Sequence, residues 1–152
     1  MLTLSSEQFA AIARIDAKNY IERIRHALVM ENAPLAADHT LSDRLWRAYI
    51  AAQEIGVSTD ENVAAFLRLE AFSPGFYQRP ATRRWLKRPG RHPDERFHDY
   101  LRVIRWHINH PDYLRGNHNG RHGSTPHRRR RNGIWAALDA YWRGAVGRSR
   151  NR

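Results

Sequence analysis

Three spacings in this chain bring metal-ligating residue types within reach of one another. His107-x-x-His110 and His118-x-x-x-His122 have the separations of paired metal ligands, and Glu95-x-x-His98 resembles half of a di-iron bundle motif. That motif needs a second Glu-x-x-His and two further carboxylates, and the second copy is missing. His110 precedes Pro111 at the end of a helical pattern, while His118 and His122 lie among glycines with nothing to orient the imidazoles. Scattered surface histidines are the better account, and no metal is expected. A nuclease centre built from His107, Asn109 and His118 fails on similar grounds. It requires a rigid hairpin and helix around a divalent ion, whereas this stretch reads as helix followed by loose loop.

Nucleophile and nucleotide chemistry find no support either. The sequence has no Gly-x-Ser-x-Gly, no Walker loop and no Gly-x-Gly-x-x-Gly, and no cysteine for a thiolate or a disulfide. Two carboxylates fall on inward faces, Asp16 in the first helical stretch and Glu70 beside Val63, Phe66 and Leu67. Inward carboxylates can be catalytic, but more often they pair with arginine or cap a neighbouring helix, and that is the expectation here. No catalytic residue and no cofactor is expected, and the chain reads as not an enzyme.

What the sequence does concentrate is positive charge. Residues 1–72 carry 7 Lys/Arg against 10 Asp/Glu, and residues 73–152 carry 19 against 5, so nets of −3 and +14 make up the chain's +11. Clustered cations of this kind mark a docking place for a polyanion or an acidic partner. The candidate binding residues are Arg83, Arg84, Lys87 and Arg88, then Arg121 and the run Arg128, Arg129, Arg130 and Arg131, together with Trp106, Trp135 and Trp142. Of 26 basic residues 24 are Arg. Arginine suits bidentate phosphate or carboxylate contacts, yet a GC-rich genome would give the same bias, so the clustering carries the argument.

Helical signals must position these groups. Ser5-Ser6-Glu7-Gln8 is a capping box, with Leu4 set to staple onto Phe9, and Phe9, Ala13, Tyr20, Ile24 and Ala27 form one stripe over a helix of about 6–31. A second helix is expected from about Leu41 to Ile55, closed by Gly56, and a third opens at a capping box in Ser58-Thr59-Asp60-Glu61 and ends near Phe72. That third helix is apolar nearly all round and belongs in the middle of a bundle. A short basic helix over about 81–88 precedes the Pro89-Gly90 turn, and Pro93 starts a helix running to about Asn109. Its core face is Phe97, Leu101, Ile104 and Ile108. Trp106 projects from the other side, where a later segment is expected to cover it.

Residues 116–133 contain no apolar core-forming side chain and read as a flexible loop rich in Arg, His and Gly. Ile134, Ala137, Leu138, Tyr141 and Ala145 then recur at helical spacing before a basic tail. The expected architecture is all-α: a single helical bundle of about five to six helices. Residues 1–115 would form the core domain, 116–133 the basic flexible loop, and 134–152 a short C-terminal amphipathic helix and tail. No apolar run approaches the roughly 20 residues a membrane span needs, and the opening residues lack an export signal, so a cytoplasmic protein is expected.

One stretch also carries a resemblance. The residues from Ala51 to Glu70, AAQEIGVSTDENVAAFLRLE, with the Leu4–Phe9 opening, resemble small helical proteins encoded beside spike-tip and effector genes of bacterial type VI secretion loci. Members of that group show a helix ending in Tyr-Gly or Ile-Gly, a capped helix with a Val-Ala-Arg-Phe/Tyr-like core, and a Gly-Pro-x-Phe turn. Here the turn reads Ser73-Pro74-Gly75-Phe76, and Tyr77-Gln78-Arg79 replace the acidic residues expected after it. The likeness spans about residues 4–115. It implies an accessory, chaperone or immunity-type protein whose partner is an effector or a spike-associated protein. The alternative is nucleic-acid or other polyanion binding through the basic second half. Oligomeric state is not readable from the sequence.

Overall fold

The computed structural model describes residues 3–110, and those residues form five α-helices with no strand among them. The elements are α1 (Ser6–Glu31), α2 (Leu41–Ile55), α3 (Asp60–Phe72), α4 (Pro80–Leu86) and α5 (Pro93–Asn109), with short 3-10 turns at Ala33–Ala37 and Phe76–Gln78. They fall into two compact units, the first ending at Phe97 and the second beginning at His98, inside α5. Arg121, Arg128 to Arg131, Trp135 and Trp142 lie outside the described residues, as do the expected loop and C-terminal helix.

The first unit is built around α3, as its all-round apolar sequence requires. Val63, Phe66, Leu67 and Leu69 are buried, and so are Asn62, Arg68 and Glu70 between them. Against α3 lie Leu41, Leu45, Ala48 and Ala52 of α2, a stripe at i, i+4, i+7 and i+11. Phe66 is the aromatic hub, with ring centroids 4.8 Å from Phe76, 5.3 Å from Phe97 and 5.5 Å from Tyr77. The Ser-Pro-Gly-Phe turn thus delivers a core residue. Gly75 at φ +70° turns the chain so that Phe76 drops under α3.

In α1 the burial differs from the sequence expectation. Ile21 and Leu28 are the buried residues; Tyr20, Ile24 and Ala27 are only half-buried, and Phe9 and Ala13 stand in solvent. The predicted stripe is rotated by about one residue. It also begins too early, because the first three turns of this 26-residue helix bury nothing. Asp16, expected inward, is exposed for the same reason. The capping box does form: Gln8 N donates to Ser5 Oγ at 3.2 Å and Ser5 N to Gln8 Oε1 at 2.9 Å.

Candidate functional site

The connection between α2 and α3 depends on a residue far along the chain. Gly56 closes α2 in the left-handed conformation (φ +94°), with its N–H bonded to the carbonyls of Ala52 and Gln53. A Cβ at this position would lie 2.9 Å from Pro93 Cγ, so the first turn of α5 sits directly on the glycine. The next residue, Asp94, is buried and gathers donors from the start of α3. Ser58 gives its N–H at 3.1 Å and its hydroxyl at 2.8 Å, and Thr59 its N–H at 3.2 Å and its hydroxyl at 3.1 Å. Asn62 Nδ2 adds a bond of 2.9 Å. Burial opposes the charge, but the hydrogen bonds from Asn62, Ser58 and Thr59 outweigh it and hold the carboxyl well below its ordinary range.

This corrects the expected capping box at Ser58. The N-cap of α3 is Thr59, whose side chain accepts from Asn62 N, and the reciprocal carboxylate comes from Asp94 rather than from the helix's own third residue. Residue spacing could not reveal a carboxylate 35 positions away.

Glu70 is the second buried acid, at 3% exposure. Its Oε2 accepts the Gly75 N–H at 2.8 Å, and Oε1 lies 3.7 Å from Arg44 Nη1. Arg44 in turn donates to the Glu70 carbonyl at 2.8 Å and to Asp38 Oδ2 at 2.6 Å. Burial pushes the Glu70 carboxyl up, partly offset by the Gly75 N–H and by Arg44 and Arg47. Burial and the Glu70 charge likewise push the Tyr77 phenol up. Asp38, bonded by Thr40 and Arg44, is lowered to about 2. A buried carboxyl whose pKa is raised can serve as a proton donor. Here its oxygens instead hold the 73–76 turn and face an arginine, the cap-and-pair role expected from sequence.

The described part of the basic cluster lies on α4 and just past its C-terminal end. Thr82 and Leu86 turn inward, leaving Arg83, Arg84, Lys87 and Arg88 exposed on the other side. Among the described residues none of these four forms an ion pair with a carboxylate. The corner behind them is braced. Trp85 Nε1 donates to the Arg96 carbonyl at 3.1 Å, the Arg96 guanidinium donates to the Arg88 carbonyl, and the Arg88 guanidinium lies 4.7 Å over the Trp85 ring.

In the second unit, Trp106 is half-exposed and stacks on His110, with centroids 4.7 Å apart and planes at 17°. The His110 ring is also tied to the Trp106 carbonyl, 2.9 Å from its Nδ1. The segment expected to cover Trp106 lies outside the described residues. Glu95 and His98 both face solvent, and among the described residues no three His, Asp or Glu come together as metal ligands. No described helix is long and apolar enough to cross a membrane.

A further feature was hidden in the sequence by the rotated stripe. Ile12 lies about half a helical turn from Ile21, nine residues on at roughly 100° per residue. Phe9, Ile12 and Ile15 therefore form a ridge on the face of α1 that points away from the core, with 68%, 44% and 57% of their surfaces exposed. Leu4, just before the N-cap, extends it at 60%. Comparison with known protein families, curated proteins and solved structures gives no match.

Proposed function

We propose that this chain is a non-catalytic helical binding protein, an accessory or immunity-type partner of a secreted bacterial effector, and that it engages the effector through the ridge of α1. The exposed ridge carries this reading. Burying a side chain the size of Phe9, Ile12 or Ile15 is worth about 1.5–3 kcal/mol. A helix that continues for three turns past its own core while holding such residues outward has the form of an amphipathic element laid into a partner's groove. Asp94 and Glu70 spend their oxygens on backbone and side-chain donors of their own fold, so neither is put forward as a catalytic acid. The resemblance of Ala51–Glu70 to proteins of type VI secretion loci supplies the class of partner.

Co-expression with a candidate effector chosen from the neighbouring genes tests the reading. A tagged full chain is expected to co-purify with that effector at physiological salt. The double variant Phe9→Asp/Ile12→Asp should release it. An effector that stays bound to the double variant, or no stable complex with the wild-type chain, would contradict the proposal.

A further inference from the structure

We propose that the cationic face of α4 is a second docking surface, one that takes the phosphate backbone of a nucleic acid without regard to base sequence. The inference stands on the geometry of α4 and is independent of the ridge on α1. Because Thr82 and Leu86 are turned inward, Arg83 and Arg84 stand on the outward side of the seven-residue helix α4, and Lys87 and Arg88 follow, also exposed, at and just past its C-terminal cap. Such a helix is about 10 Å long, and one strand of a duplex presents a phosphate about every 3.4 Å along its axis. Three or four phosphates therefore fall within reach of the four cations.

The fold itself gives these charges no carboxylate partner among the described residues, although Asp94 and Glu95 lie only a few positions further along the chain. Asp94 is committed to the start of α3. The negative end of the α4 dipole offsets part of the mutual repulsion. The brace through Trp85 and Arg96 fixes the corner on which Arg88 stands.

The same brace determines what kind of nucleic-acid contact is made. Trp85 is half-buried, its N–H is engaged and Arg88 lies over its ring, which makes it a poor stacking platform for a base. Without a stacking platform or a helix long enough to enter a groove, contact is restricted to phosphates, which position a protein but carry no sequence. A lipid surface is disfavoured because the face offers no large apolar side chain to enter the interface. An acidic protein is disfavoured because the apolar anchors of a desolvated interface stand on α1 instead.

The test uses the full chain and two fluorescein-labelled duplexes of about 20 base pairs and unrelated sequence, titrated by anisotropy across a range of NaCl concentrations. The triple variant Arg83→Gln/Arg84→Gln/Lys87→Gln removes exposed side chains only. It should bind both duplexes at least about tenfold more weakly, with the slope of log affinity against log salt reduced by about 2.7. The single reversal Arg84→Glu, at an exposed side chain, should lower the slope by about 1. Unchanged slopes in both variants would overturn the proposal, as would strong preference for one duplex. Poly-glutamate that displaces the duplex as well as unlabelled DNA does would assign the face to an acidic polypeptide, and would overturn it too.

Discussion

Thr59 and Asp94 complete a helix cap between them: the Thr59 N–H and hydroxyl both reach Asp94 Oδ1, at 3.2 Å and 3.1 Å. In a local capping box the third helical residue supplies that carboxylate. Here the third residue is Asn62, which also donates to Asp94. One carboxylate therefore serves the exposed donors at the start of α3 and anchors the first turn of α5 to them. It also lies at the positive end of the α3 dipole, where a negative charge is favoured.

Replacing Asp94 should be costly for its size. Asp94→Ala leaves two backbone N–H groups and two hydroxyls without their carboxylate acceptor and the Asn62 amide with only the residue-94 carbonyl, and hydrogen bonds to a charged group contribute about 1.5–3 kcal/mol each. Solvent reaches Ser58 and Thr59 and recovers part of this, so a loss of about 3 kcal/mol is expected, read from urea denaturation of the full chain. A loss below about 1 kcal/mol would mean that the cap does not hold α5.

The acid limb of stability should carry the same signature. Asp94 and Asp38 both titrate lower in the folded protein than the ordinary value near 3.9, so their contribution is fully present above that value. It is lost as pH falls through about 4 toward 2. Glu70 is raised, so its ionisation works in the opposite sense, lowering stability as pH rises above the ordinary carboxylate range. Unfolding followed from pH 6 to pH 2 should show wild-type stability falling, and Asp94→Asn should flatten the fall. Glu70→Gln should keep the Gly75 bond and change stability at neutral pH by no more than about 1 kcal/mol.

Two glycines with nearly the same positive φ should respond differently to alanine. Gly56 and Gly90 have φ of +94° and +99°, so both substitutions carry the left-handed penalty of about 1–2 kcal/mol. At Gly90 the new Cβ meets nothing within 4 Å, whereas at Gly56 it meets the ring of Pro93 at 2.9 Å. Gly56→Ala should therefore lower the melting temperature clearly more than Gly90→Ala does. Equal losses would mean that Pro93 yields freely and the α2–α3 connection is not clamped by α5.

How much of this was legible in the sequence follows from the range of the forces involved. Helix ends at Ser5, Gly56 and Pro93 rest on caps, left-handed glycine and proline, which act within a few residues, and they could be placed from spacing alone. The central position of α3 was legible too, since a helix with apolar residues all round has only one place to go. Asp94 was not, because its partners are brought to it by tertiary packing. The outward ridge of α1 was misread for a related reason. Phe9 was placed in the inward stripe, and only the position of Ile21 and Leu28 in the core tells which face is turned to solvent. Of the candidate site, Arg83, Arg84, Lys87 and Arg88 were named from charge clustering, and all four are exposed on α4 or just past its C-terminal end.

The central claim, that the ridge of α1 is a protein-binding surface and no part of the core, is tested most directly by Phe9→Asp/Ile12→Asp in the full chain, with stability and effector affinity measured on the same sample. Because both side chains already stand in solvent, the variant should unfold within about 0.5 kcal/mol of wild type. Affinity for the proposed effector partner, measured by calorimetry, should fall at least about a hundredfold, as expected when two apolar anchors become buried charges. Destabilisation by several kcal/mol, or an affinity equal to that of wild type, would contradict it.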